Sequence, residues 1–226
     1  MNAQRVAVFG ATGGAGRALV AAALGDGRAV TAFGRSAERL GAVLAEAQAN
    51  GTAGGSARPV TGDLTDPAAV RAAVAGQDAV FVVVGPRKGD DPAALTRGVE
   101  TVVGAMRAEG VRRLLLLSGA GIHVEGDQKP VPDRLISALV RLLNGPDVRE
   151  KERQLAYVRG SGLDWTVVRP PRLADQPGTG RALVADPHTI RGGRVVSYAD
   201  LARWLLDEAD AGRHVGQAVF VAAGPR

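Results

Sequence analysis

The 226-residue chain contains no cysteine. That excludes disulfides, thiolate nucleophiles, zinc–thiolate sites and iron–sulfur clusters together. Histidine is scarce as well, and His123, His188 and His214 stand far apart without ligand-pair spacing, so the sequence offers no metal site. Lysine occurs only as Lys88, Lys129 and Lys151 among 28 basic residues, and the arginines that make up the rest are scattered through every segment. A net charge of +5 without a basic run, and with aromatics at 4%, lacks the charge stripe and stacking platform of a nucleic-acid binder. No apolar run approaches the ~18 residues that would cross a membrane. The opening RVAVFG runs straight into glycines without a signal-like region, so the expectation is a cytoplasmic chain with neither a nucleic-acid nor a membrane partner.

Hydrophobic residues are present in quantity, and at 46% they suffice for the core of one sizeable domain without staples. Short β-branched runs recur at 5–10, 29–35, 57–63, 78–85, 111–119 and 163–170, with helix-length segments between them and a last short strand in GQAVFVAAG. Alternating strands and helices mean βαβ units, and the unbroken apolar character of FVVVG and LLLLSG suits strands covered on both faces. The expected fold is α/β, a Rossmann-type doubly wound, mainly parallel sheet of about seven strands with helices on both faces. It forms a single domain over 1–226. Thr65 or Asp66 before Pro67, Asp91 before Pro92 and Ser197 mark helix starts, while Gly76 and Gly110 mark ends. Trp204 and Leu205 lie on one helical stripe and Trp165 in a buried strand, which makes all three core residues. Asn144-Gly145-Pro146 splits 133–160 into two helical pieces. The segments 119–134 and 171–196 follow strands at the carboxyl edge, where open α/β sheets bind ligands, and are expected to be substrate-side loops.

The stretch FGATGGAG (9–16) follows a strand and opens a helix. Glycine there lets the backbone approach a pyrophosphate, and the helix N-terminus offers unpaired N–H groups and partial positive charge to it. A site preferring NAD carries an acidic residue about 20 positions on, to take the ribose hydroxyl. Here the second strand ends Phe33-Gly34-Arg35-Ser36. Arg35 in the acidic position can make paired, charge-assisted hydrogen bonds to a 2′-phosphate, with Ser36 adding a donor and Arg39 one helical turn on, which favours NADP(H).

The motifs GATGGAG, GDLTD (62–66), VVVG (82–85), LLLLSGAG and SGLDWTVVRP, in this order, resemble the atypical short-chain dehydrogenase/reductases. The nearer likeness is to the NAD(P)H-binding branch that includes biliverdin-IXβ/flavin reductases and nitrogen-metabolite-repressor-like proteins, and it reaches to about residue 222. The resemblance implies that Gly10, Thr12, Gly13, Gly14 and Gly16 line the pyrophosphate and Arg35 the 2′-phosphate. By the same likeness Asp63 and Leu64 meet the adenine, and Val84 and Gly85 the adenosine ribose. Ser118 matches the serine that faces nicotinamide and substrate, Lys151 the lysine that holds the nicotinamide ribose, and Pro170 and Pro171 start the segment beside the carboxamide.

A typical short-chain reductase donates a proton from the tyrosine of Tyr-x-x-x-Lys. Neither Tyr157 nor Tyr198 has a lysine four residues on, and four residues before Lys151 stands Asp147. An aspartate would have to stay protonated beside a lysine that favours its ionised form. Two functions remain compatible with these residues. One is an NADPH-dependent oxidoreductase that transfers hydride to a small conjugated acceptor, a flavin, quinone or tetrapyrrole-like molecule. In it the proton comes from water, Ser118 and Lys151 orient the reactants, and His123 is either a proton shuttle or a solvated loop residue. The other is a non-catalytic NADP(H)-binding sensor. An isomerase or epimerase that retains its cofactor is a third, more remote class.

Overall fold

The computed structural model describes residues 3–49, 54–85, 91–128, 145–180, 183–190 and 195–224. The first helical piece expected within 133–160 and residues 129–134, 181–182 and 191–194 of the two long loops lie outside the described residues. In chain order the elements are β1 (Arg5–Phe9), α1 (Gly14–Gly25), β2 (Ala29–Gly34), α2 (Ala37–Ala49), β3 (Ser56–Thr61), α3 (Pro67–Val74), β4 (Ala79–Val82) and α4 (Pro92–Ala108). They continue with β5 (Arg113–Leu117), α5 (Gly145–Arg159), β6 (Asp164–Arg169), β7 (Leu173–Ala174), β8 (Leu183–Asp186), β9 (Val196–Ser197), α6 (Tyr198–Ala211) and β10 (Gln217–Ala223).

The strands form an eight-stranded sheet in the order β3-β2-β1-β4-β5-β6-β10-β8, parallel except for β8, which runs antiparallel to β10. Side chains alternate across each strand, so Val6 and Val8 enter one buried cluster while Ala7 and Phe9 enter the other. The first cluster lies under α1, α2 and α6, and the second under α3, α4 and α5. This two-faced burial is what unbroken apolar runs such as AVFV and RLLLL require. Trp165 and Trp204 are both buried in it, as the sequence indicates.

The helix starts are local chemistry. Asp66 accepts from the N–H of Ala68 and Ala69 ahead of α3, Asp91 accepts from Ala93 N ahead of α4, and Ser197 Oγ accepts from Asp200 N ahead of α6. Gly212 closes α6 in the left-handed region at φ 60°.

The segment 171–196 carries more order than its composition announces. It supplies β8, the eighth strand of the sheet, and the two-residue strands β7 and β9, which pair with each other. Its neighbour 119–128 is tied down by a buried ion pair. Arg169 at the end of β6 donates to both carboxylate oxygens of Asp127 at 2.9 and 3.0 Å, and to the carbonyls of Pro187 and Ala218. Its guanidinium lies 3.8 Å from the centre of the Phe220 ring. The two charged side chains are 0% and 1% exposed. Gln128 N donates to His188 O, which joins the two loops directly. A second buried pair, Arg113 with Glu208 at 3.0 Å, fastens the start of β5 to α6, and burial holds the Arg113 guanidinium below its ordinary value against the pull of Glu208.

Removing one member of a buried pair strands the other charge, at a cost of about 3–5 kcal/mol. Asp127→Ala is therefore expected to lower the unfolding free energy by about that much in urea titration, and Asp127→Leu combined with Arg169→Met by clearly less.

Candidate functional site

The winding changes direction between β1 and β4, and the carboxyl ends of the strands meet there around a cleft of about 270 Å³. Its floor is Gly10, Thr12 and Gly13 after β1. One wall is Phe33, Gly34 and Arg35 at the end of β2 with Gly62, Asp63 and Leu64 after β3. The opposite side is Val83, Val84 and Gly85 after β4, Ala94 and Leu95 from α4, and Asp147, Glu150, Lys151 and Gln154 from α5.

The glycine loop is shaped by contacts that forbid side chains. Gly10 has φ +89°, and a Cβ on it would lie 3.0–3.1 Å from Val84 and the Val83 carbonyl. A Cβ on Gly16 would lie 2.0 Å from the Gly10 oxygen, so α1 rests directly on the strand end. Gly13 is the N-cap of α1 and contributes no side-chain cap, which leaves first-turn amides to an incoming anion. These are the features a dinucleotide pyrophosphate needs, and the residues present fit one.

Of the site residues named from sequence, Gly10, Thr12, Gly13, Arg35, Asp63, Leu64, Val84, Gly85 and Lys151 line the cleft. The others stand around it. Gly14 sits against the Tyr198 ring, 2.4 Å from where a Cβ would fall, on the side away from the cleft floor. Ser36 Oγ accepts from Arg39 N at 3.2 Å and so caps α2, which leaves its hydroxyl hydrogen for another partner. Pro170 is buried, with its carbonyl accepting from Ala120 N. His123 projects from the loop after β5 with its ring 66% exposed, 3.9 Å from Asp127.

Ser118 directly follows β5 with its Oγ buried and, among the described residues, without a hydrogen-bond partner, while its N–H donates to Val168 O. The next residue, Gly119, brings the backbone beside Lys151, whose Nζ lies 3.6 Å from the place a Cβ would take. Burial holds the Lys151 ammonium below the usual lysine value, and the Asp147 charge partly offsets this. At the other end of the cleft the Thr65 hydroxyl and N–H hold the Asp63 carboxyl below its usual value, and Arg35 adds to the effect.

Sequence reasoning singled out Asp147 and Lys151 but not Glu150 and Gln154. The signal was present in the spacing 147, 150, 151, 154, which is one face of a helix. Tyr157 and Tyr198 both fail to line the cleft: Tyr157 lies on another face of α5, with Arg97 and Arg153, and Tyr198 packs on Gly14. Among the described residues no group of three or more His, Asp or Glu could hold a metal, and no helix is long and apolar enough to cross a membrane.

Comparison with known proteins agrees with this geometry. A family model described as NAD(P)H-binding matches residues 10–211. An uncharacterized chloroplastic protein of Arabidopsis thaliana is 29% identical over 236 aligned positions, which cover 100% of this chain and 80% of that protein. Among solved structures, a protein of Burkholderia pseudomallei described as exported is 27% identical, with 97% of this chain and 99% of that one covered and a TM-score of 0.71. An anaerobillin reductase from Escherichia coli O157:H7 is 23% identical over 97% of each chain, with a TM-score of 0.76, and shares the fold.

The two ends of the glycine loop separate folding from binding. Gly16→Ala is expected to destabilise the chain by about 1–3 kcal/mol through overpacking. A Cβ on Gly13 meets only the Gly10 oxygen at 3.5 Å, so Gly13→Ala is expected to keep the thermal midpoint while weakening nicotinamide dinucleotide binding. Thermal melts with and without the dinucleotide check both.

Proposed function

Because the chain belongs to the NAD(P)H-binding family, we propose that it is an NADPH-dependent reductase of a small conjugated acceptor, working without a catalytic tyrosine. The observation that carries the proposal is the placement of three unlike features in one cleft: the uncapped glycine-loop helix, Arg35 at the end of β2 and the half-buried Lys151 on α5. The first suits a pyrophosphate, the second a 2′-phosphate and the third the hydroxyls of a nicotinamide ribose.

In this reading Arg35 selects NADP(H) by a charge-assisted pair, while Asp63, committed to Thr65, is left to meet the adenine side rather than a ribose hydroxyl. Leu64 and Val84 supply apolar walls, and Leu64 is seated over Gly98, where a Cβ would fall 2.4 Å from it. Lys151, whose Nζ lies beside Gly119, fixes the ribose, and Ser118, the residue before Gly119, orients the reactants. Pro170 forms the neighbouring backbone. The reduced dinucleotide, when bound, supplies a hydride to the acceptor, which takes its proton from water. His123, on the exposed loop after Ser118, relays that proton in this reading. The absence of both tyrosines from the cleft lining supports an acceptor whose electron-poor centre takes hydride without a strong protein acid.

The test is direct. NADPH should bind the wild type about 10- to 100-fold more tightly than NADH, the range of a charged hydrogen-bonding pair, with the preference lost in Arg35→Asp. Equal affinities, read by nicotinamide fluorescence, overturn the cofactor assignment. NADPH consumption with dichlorophenol-indophenol, flavins or quinones should exceed buffer and fall in Ser118→Ala and Lys151→Ala. Binding without consumption of any acceptor would instead favour the sensor. Because burial lowers the Lys151 value, NADPH affinity should decline as pH rises through it, below the ~10.4 of a free lysine, and Lys151→Met should lack that step.

A further inference from the structure

The first turn of α6 is gripped from two sides. On one side lies residues 175–180, a strap that leaves β7 and is exposed at every position. It meets a single carboxylate of the helix. Asp200 accepts from Thr179 N at 2.9 and 3.1 Å, from Thr179 Oγ1 at 2.9 Å and from Gly180 N at 3.2 Å. Gly178 lies so near that a Cβ on it would meet Ala199 at 3.2 Å and Asp200 Oδ1 at 3.3 Å. Asp200 is also tied into its own turn, where its N–H donates to the Ser197 hydroxyl that caps the helix.

On the other side the same turn bears on the glycine loop. Three ring carbons of Tyr198 lie at 3.0 Å or less from the place a Cβ on Gly14 would take. Gly14 opens α1 directly after the uncapped Gly13, among the amides that await an anion. Neither Gly14 nor Tyr198 lines the cleft, so their contact acts on the position of the loop and not on a ligand. Behind the loop a hollow of about 240 Å³ is bordered by Gly14, Tyr198 and Ala199 together with Asp175 and Gln176 of the strap. The ring therefore has room to leave Gly14 if its turn shifts.

From these placements we infer that Tyr198 is a positioning residue for the dinucleotide, and that Asp200, by docking the strap, keeps Tyr198 seated on the loop. Strap and dinucleotide then bias one element from opposite sides, and by linkage each strengthens the hold of the other. A loop at the acceptor end is set once the dinucleotide is in place. The inference rests on the dinucleotide reading of the cleft.

NADPH without acceptor, on the full chain, is the probe, with nicotinamide fluorescence giving affinity and hydrogen exchange reporting the loops. Tyr198→Ala and Asp200→Ala should each weaken NADPH binding by about 2- to 30-fold, the range of a coupling carried between touching elements. Because ring carbons make the contact, Tyr198→Phe should bind as wild type does. The Tyr198→Ala, Asp200→Ala double variant should bind within about twofold of Tyr198→Ala alone, since both act through one seat. In the wild type NADPH should slow exchange of the Thr179 and Gly180 amides, and in Tyr198→Ala it should not. Should Tyr198→Ala not fold, Gly14→Ala, whose Cβ evicts the ring, carries the same expected loss of affinity. Undiminished affinity in Tyr198→Ala or Gly14→Ala, additive losses in the double variant, or protection of 179–180 that survives in Tyr198→Ala would each overturn the inference. If the wild type binds no NADPH, the dinucleotide reading fails, and faster exchange of residues 10–16 in unliganded Tyr198→Ala still upholds the seating of the loop. If NADPH binds wild type and Tyr198→Ala alike, the dinucleotide reading stands and the inference fails.

Discussion

Residue 16 has no room for a side chain, and the candidate site depends on that. With 2.0 Å between the notional Cβ of Gly16 and the oxygen of Gly10, α1 can sit on the end of β1 only if residue 16, in its first turn, is bare. That approach aims the helix axis, with its partial positive charge and its unpaired amides, at the cleft between β1 and β4. Tyr198 at the start of α6 then closes over Gly14 from behind, so the loop is fixed on both sides by contacts rather than by hydrogen bonds alone. A cradle held this way needs little rearrangement to receive an anion.

The rest of the molecule keeps the strand ends in register with that cradle. Both faces of the sheet are buried, and two of the charge pairs that enter the interior are Arg113 with Glu208 at the start of β5 and Arg169 with Asp127 at the end of β6. Each pair joins elements distant in sequence, and neither is a cheap source of stability, because desolvation cancels most of the attraction. Their effect is positional. The Arg169 pair holds the loop carrying Gly119 and His123 against the carboxyl end of β6, next to the strand whose last residues lead into Ser118.

What could be read from the sequence was what the chain encodes locally. The β-branched runs, the proline after Asp66 and Asp91, and the glycine loop between a strand and a helix each depend on a handful of adjacent residues. They predicted six parallel strands, five of them within two residues at each end and β4 three residues too long, and, with Ser197, three of the helix caps. Arg35 was legible for the same reason, since its position follows from counting to the end of the second strand. The eighth strand was not, because LVAD becomes a strand only by pairing antiparallel with β10, more than thirty residues later. The Arg169–Asp127 pair spans 42 residues and carries no spacing rule. Ser36 shows how two roles overlap in one residue type: a serine just before a helix is a cap first, and the structure uses it so. Glu150 and Gln154 required knowing which face of α5 meets the cleft, which is decided by α4 and not by α5 itself.

The two edges of the sheet also bear on how this chain behaves in a crowded solution. β8 ends in Asp186, whose carboxylate turns back onto the N–H groups of His188 and Thr189, so the chain folds away from that edge directly after the strand. At the far edge, β3 carries Pro59, which lacks a donor, beside Arg58, which reaches back to Thr31 and the Ala72 carbonyl. A foreign strand laid along β3 would find a missing hydrogen bond and a bulky cation. The parallel strands whose interior is most apolar are thereby flanked by borders that discourage extension, and a fold rich in unbroken hydrophobic segments is guarded against fibrous association.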